Sequence, residues 1–136
     1  EYNQKFDYIS RFKLTTGESK LKLVEPWVNF MSKGEFNPIH MHYGTMSFVI
    51  WMDIPFWKQD EVNLTPDIPA DKNEAGNFAF VYSDPLNTTK TVNIAVDKSY
   101  EGTLCVFPSS LRHCVYPFYT SDDYRITVAG NFKFKV

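Results

Sequence analysis

The sequence is poor in most of the features that announce a function. It has two cysteines, Cys105 and Cys114, too few for a disulfide framework. Both lie in apolar surroundings, Leu104-Cys105-Val106 and Cys114-Val115, where a buried free thiol acts as a small hydrophobe. That favours a reducing, cytoplasmic setting. No charge of one sign dominates: the formal charge is -2, and lysines and arginines are scattered rather than striped, so neither nucleic acid nor an anionic membrane has an electrostatic footprint. Long apolar runs are missing too. The stretch Met46 to Ile54 is interrupted by Asp53 and is too short to span a bilayer. There is no Gly-rich phosphate loop, no Cys-x-x-Cys pair and no Gly-x-Ser-x-Gly elbow. Internal repeats, low-complexity tracts and a signal-peptide pattern are equally lacking. The chain begins at Glu1 rather than Met, and we expect N-terminal sequence to be missing. Its 136 residues suit one domain over 1–136.

What is present is a period of two. No long stretch places apolar residues at i, i+3, i+4 and i+7, whereas Lys20-Leu21-Lys22-Leu23-Val24 alternates as a half-buried strand does. Aromatics make up 17% of the chain and concentrate, with β-branched residues, in strand-like runs. These runs are Trp27–Met31, Thr45–Ile54, Phe78–Tyr82, Thr91–Val96, Gly102–Phe107 and Arg125–Val136. Turn residues separate them: Ser32-Lys33-Gly34, Pro55, Asn73-Glu74-Ala75-Gly76, Asp84-Pro85, Ser99-Tyr100-Glu101-Gly102 and Thr120-Ser121-Asp122-Asp123. About seven or eight short strands without helical interludes predict an all-β sandwich or barrel. The first fifteen residues fit a short helix or an edge strand equally. Residues Lys58–Gly76 read as a long loop, either a lid or a solvated connection. Phe56 and Trp57, just before it, are expected at the mouth of a site, and Trp27 and Trp51 in the core or at its rim.

Histidine is scarce, and its placement carries the chemistry. His40 and His42 flank Met41, and on an extended strand residues i and i+2 point to the same face. Imidazole suits zinc, copper, iron and nickel. A His-x-His pair alone is better explained as an exposed or hydrogen-bonded pair on a strand. The third histidine, His113, follows Phe107-Pro108-Ser109-Ser110-Leu111-Arg112, a strand closed by a proline turn. Barrels of the cupin type take a pair of ligands from an early strand and the third from a late one, which is the arrangement here.

Two blocks carry a family resemblance. One runs Trp27-Val28-Asn29, Gly34-Glu35-Phe36-Asn37-Pro38-Ile39-His40-Met41-His42, Gly44 and Ser47. The other runs from Gly102 through Phe107-Pro108-Ser109-Ser110-Leu111-Arg112-His113 to Arg125-Ile126-Thr127-Val128-Ala129-Gly130-Asn131-Phe132. Together they resemble the 2-oxoglutarate/Fe(II)-dependent oxygenases, in particular a compact group found in marine bacteria and their phages. The resemblance spans about Trp27 to Phe132.

It implies an all-β double-stranded β-helix, a jelly-roll or cupin-like barrel, holding Fe(II) on His40, His42 and His113. It further implies 2-oxoglutarate as cosubstrate and O2 as oxidant, with hydroxylation of an organic substrate coupled to release of succinate and CO2. Arg125 matches the residue that clamps the keto acid's far carboxylate, a task suited to a planar guanidinium that keeps its charge. Its alternative is a surface ion pair with Asp122 or Asp123. Thr127, two residues on, faces the same way, and its hydroxyl is placed to assist. Asn29, Asn37, Ser47 and Asn131 are candidates for polar support of the ligands or the cosubstrate.

One departure stands out. The wider superfamily has His-x-Asp or His-x-Glu, completing a two-histidine, one-carboxylate triad. Here His42 occupies the carboxylate's position, unless an acid from elsewhere, such as Asp53, completes the set. Two other readings therefore stand beside the oxygenase. One is a three-histidine cupin dioxygenase or isomerase without 2-oxoglutarate; the other is a non-catalytic structural or ligand-binding module, for example of a phage. Edge strands of such barrels often pair, so a homodimer is also compatible.

Overall fold

The computed structural model describes Lys5 and residues 20–134. The choice between helix and edge strand for the first fifteen residues therefore lies outside the described residues, apart from Lys5. Among the described residues there are nine strands in order: β1 (Leu21–Leu23), β2 (Trp27–Met31), β3 (Asn37–His40), β4 (Met46–Asp53), β5 (Phe78–Ser83), β6 (Thr89–Ile94), β7 (Leu104–Pro108), β8 (Arg112–Val115) and β9 (Arg125–Phe134). Every pairing is antiparallel. One sheet has the order β1-β9-β4-β7, with β2 also on β9; the other has the order β3-β8-β5-β6. β9 is long enough to take β2 along Arg125–Ala129 and β1 along Phe132–Phe134, on the side away from β4.

The two sheets pack face to face through aromatics. Phe78 on β5 meets Trp51 on β4 edge-on at 5.8 Å between ring centroids, and Phe80 meets Phe107 on β7 at 5.1 Å. Val49, Trp51, Ile54, Phe56, Phe78, Val96, Phe107 and Phe118 form the buried core. On β4, Val49 and Trp51 belong to the buried core, and Met46, Ser47 and Phe48 are buried as well, so both faces of this strand are covered at its start. Two sheets of antiparallel strands wound this way form a double-stranded β-helix, the all-β fold that the sequence implies.

Two expectations need correction. Lys58–Gly76 is not an irregular loop: it contains helix α1 (Lys58–Leu64) and a single 3-10 turn (Ala70–Lys72). Nor is it a lid, because its buried residues Glu61 and Asn73 pack it into the body of the molecule. Two short strands, β3 and β8, also join the runs read from the sequence. Both cysteines are free and at least partly buried, and burial raises both thiol pKa values. Among the described residues no helix is long and apolar enough to cross a membrane.

Candidate metal centre and cavity

β3 and β8 are short, but they bring the histidines together. His40 and His113 are direct cross-strand partners, with ring centroids 4.3 Å apart. His42 lies just beyond the end of β3, where its N–H donates to the Ser109 carbonyl at 2.9 Å. The chain thereby stays extended past β3, and the His42 ring falls 5.1 Å from that of His40 and 5.0 Å from that of His113. One ring nitrogen from each histidine lies within 4.8 Å of those of the other two. Asp53 is not in this cluster; it sits exposed at the far end of β4.

The rings are also oriented. Nδ1 of His40 is 2.7 Å from the Pro38 carbonyl, and Nδ1 of His113 is 3.0 Å from the Leu111 carbonyl. A carbonyl only accepts, so each Nδ1 carries the hydrogen and each Nε2 presents its lone pair. The neighbours of His113 keep it dry: Phe107, Phe78 and Phe80 surround the ring at 4.9, 5.6 and 6.5 Å. That desolvation, opposed by the Leu111 bond and helped by the other two histidines, pushes its pKa down to about 4. His42, against Trp27 at 5.5 Å, is also lowered, first by burial and then by His40. His113 is therefore neutral at neutral pH, the form in which imidazole binds a metal, and the shift of His42 runs the same way.

The cluster forms one wall of a cavity of about 420 Å³ between the sheets. Arg125, Thr127 and Ala129, alternate residues of β9, line the opposite side. The aromatics Trp27, Phe30 and Phe36 are also lining residues.

Among the described residues Arg125 makes no surface ion pair, and Asp122 instead binds Lys33. It is 1% exposed, and its guanidinium lies 5.8 Å from the Phe56 ring and 5.7 Å from that of Phe118. Nη1 donates to the Gly76 carbonyl at 2.8 Å; Nη2 donates to the Tyr116 carbonyl at 3.1 Å and to Met31 Sδ at 2.9 Å. Two of its five N–H donors make no hydrogen bond among the described residues. Burial lowers its pKa to about 10, against the pull of Glu61, and it remains a cation at neutral pH.

The other polar candidates separate. Asn29 and Thr127 face each other across β2 and β9, with Asn29 Nδ2 donating to Thr127 Oγ1 at 3.2 Å, and both line the cavity. Asn37 lines it as well. Ser47 and Asn131 are not among the residues that line it. They share the inward face one step below Val49 and Ala129, where Ser47 Oγ lies 2.7 Å from Asn131 Oδ1 and 2.9 Å from Ser109 Oγ. Their contact runs through Ser109, whose carbonyl holds His42. Phe56 is also displaced from its expected place: it is buried and stacked on Phe118 at 4.9 Å, while Trp57 is exposed and does not line the cavity. The reason is that α1 starts at Lys58, which turns this segment behind Arg125 instead of over the mouth. Glu61 and Ser109 were not singled out from the sequence. Ser109 is the serine of the Phe-Pro-Ser-x-Leu-x-His block, but no role was read for it from the sequence.

Fold and centre together define a double-stranded β-helix with a three-histidine cluster facing a buried arginine. The family model described as "Putative 2OG-Fe(II) oxygenase" matches residues 25–131, and the chain belongs to that family. Among solved structures, the chain is similar to an oxidoreductase of the 2OG-Fe(II) oxygenase family from Burkholderia pseudomallei. Identity is 16% and the TM-score 0.59, over 87% of this chain and 47% of that one. The chain thus spans about half the length of that structure. It also matches a cupin domain from Bordetella pertussis at 15% identity and a TM-score of 0.38, over 90% and 88% of the two chains. Comparison with curated proteins gave no match.

Proposed function

We propose that the protein is an Fe(II)- and 2-oxoglutarate-dependent oxygenase that hydroxylates an organic substrate. The observation that carries this is the convergence of His40, His42 and His113 on the cavity that Arg125 also lines. The donor set fits a borderline metal such as Fe(II), since imidazole nitrogens suit it and two of the three rings have their lone pairs fixed by backbone carbonyls. His40, His42 and His113 would hold the iron. When bound with 2-oxoglutarate and O2, iron supplies the oxidising power for C–H hydroxylation, with the keto acid converted to succinate and CO2.

The chain's own residues bind, orient and exclude water. Arg125, a cation on the cavity wall, pairs with the far carboxylate of the keto acid by charge, and the apolar walls strengthen that contact. Thr127, held by Asn29, adds a hydroxyl on the same face of β9. Trp27, Phe30 and Phe36 exclude water and give the organic substrate an apolar surface. Three neutral ligands leave the ion's full charge to be offset by the dianionic cosubstrate.

A direct test is aerobic incubation of iron-loaded protein with 2-oxoglutarate, following succinate and CO2. Slow release of both, dependent on iron and abolished in His113→Ala, is the expected result. Stoichiometric iron with no succinate would refute the reading. The three-neutral-histidine set itself favours a second reading, a cupin dioxygenase that does not use 2-oxoglutarate. On that reading iron-dependent activity survives Arg125→Ala.

A further inference from the structure

The groups that touch the Arg125 guanidinium, Met31 aside, come from two segments. One is Phe56–Gly76, which supplies the Phe56 ring and the Gly76 carbonyl; the other is Tyr116–Thr120, which supplies the Tyr116 carbonyl and the Phe118 ring. Both meet at one buried acid. Glu61 on α1 is 1% exposed, and its carboxylate accepts the backbone N–H of Tyr119 at 3.0 and 2.9 Å and that of Thr120 at 2.9 Å. It also accepts the Thr120 hydroxyl. On the other side of α1, Asn73 Nδ2 donates to the Glu61 carbonyl at 3.4 Å and to Thr65 Oγ1 at 2.8 Å. Lys58 Nζ donates to the carbonyls of Asn73 at 2.9 Å and Ala75 at 2.6 Å. The residue after Ala75 is Gly76, whose carbonyl takes Nη1 of Arg125. Glu61 thus joins the two arms that seat the guanidinium.

A buried carboxylate is costly unless its bonds and charge are answered. Glu61 is answered by three N–H or O–H groups and by the field of Arg125, which its charge in turn favours. We propose that Glu61 is a positioning residue for Arg125: through the Tyr116–Thr120 segment and the Asn73–Gly76 turn, it fixes the guanidinium at the cavity wall. The insertion that carries α1 is then a buttress for the anion-binding arginine. The inference rests on the reading of Arg125 as the anchor of the keto acid.

The test uses the full chain: 2-oxoglutarate affinity is measured by calorimetry on protein loaded with Mn(II), and the Arg125 Nε–H signal by 15N NMR on the metal-free protein, because paramagnetic Mn(II) would itself broaden that signal. Glu61→Gln keeps the side chain's size but removes its charge. We expect unchanged Mn(II) stoichiometry, about tenfold weaker 2-oxoglutarate binding and a broadened Nε–H signal, since small misplacements of a binding group are costly. Glu61→Asp, which restores the charge, should recover part of both losses. Thr120→Val, which removes only the hydroxyl contact, should shift both readouts in the same direction by a smaller amount, and it decides the matter if Glu61→Gln does not fold. A folded Glu61→Gln protein with wild-type affinity and a sharp Nε–H signal would overturn the proposal. If wild-type protein binds Mn(II) but no 2-oxoglutarate, the functional reading falls; the Nε–H signal still decides whether Glu61 orders Arg125.

Discussion

His40 and His113 face each other as cross-strand partners on β3 and β8, and the Nδ1 of each is held by the carbonyl two residues before it. The same local loop closes on both strands, so the two rings present Nε2 from matched positions. Each ring is a rigid ligand before any metal arrives, and little ordering remains to oppose binding. His40→Ala and His113→Ala should therefore each lose stoichiometric Fe(II) or Mn(II), while thermal unfolding still shows a cooperative transition. Metal analysis after desalting checks this. Retention of a full equivalent in either variant would exclude that histidine as a ligand.

Gly76 has no room for a side chain. Its φ is +74°, and an added Cβ would come within 2.5 Å of the Phe56 ring, which is itself pinned by Phe118. Gly76→Ala should cost about 2–4 kcal/mol, from left-handed backbone strain together with overpacking. The displaced Phe56 ring and Gly76 carbonyl both touch Arg125, so 2-oxoglutarate binding should weaken as well. Urea unfolding and calorimetry read the two effects separately.

Ser47 supports the site from behind. Ser47→Ala should leave Asn131 Oδ1 and Ser109 without a buried partner and cost about 1–3 kcal/mol of stability. Its 2-oxoglutarate affinity should stay within about twofold of wild type, because the side chain does not reach the cavity. A large loss of affinity at unchanged stability would return Ser47 to the binding surface.

Tyr116 gives a pH dependence away from the histidines. Burial first, then Glu74 and Cys114, push its phenol up to about 12, against an unfolded value near 10. Folding therefore favours the neutral phenol. That contribution is fully present below about pH 10 and is lost as pH rises through about 12. Wild-type protein should lose more stability than Tyr116→Phe between pH 9 and about 11.5 in paired denaturant titrations. Equal losses would show that the phenol is not held neutral by the fold.

Much of this was legible in the sequence where physics is local. The alternation in Lys20–Val24 and the aromatic runs around Phe48, Phe80 and Val106 all became strands, although β1 pairs with β9 while leaving Leu23 exposed. β3 and β8 were harder, because Asn37-Pro38-Ile39-His40 and Arg112-His113-Cys114-Val115 are only four residues each. Helix α1 is seven residues long and mostly polar, too short for a period of 3.6 to stand out. Glu61 within Lys58-Gln59-Asp60-Glu61 looks like any solvated acid. Its partners, Tyr119 and Thr120, lie far along the chain, and only folding reveals that it is buried. Arg125 stood out in its block, and the structure places it on the cavity wall; the cradle of Phe56, Gly76, Tyr116 and Phe118 around it was not legible.

The most direct test of the account is anaerobic titration of Fe(II)-loaded protein with 2-oxoglutarate, watching the visible charge-transfer absorption that a keto-acid chelate of iron gives. Wild-type protein should develop the band with one equivalent of keto acid. Arg125→Ala should need about 10- to 100-fold more, the loss of charged hydrogen bonds worth about 1.5–3 kcal/mol. No band from protein that holds its iron would contradict the account, and would leave the three-histidine centre to a chemistry without 2-oxoglutarate.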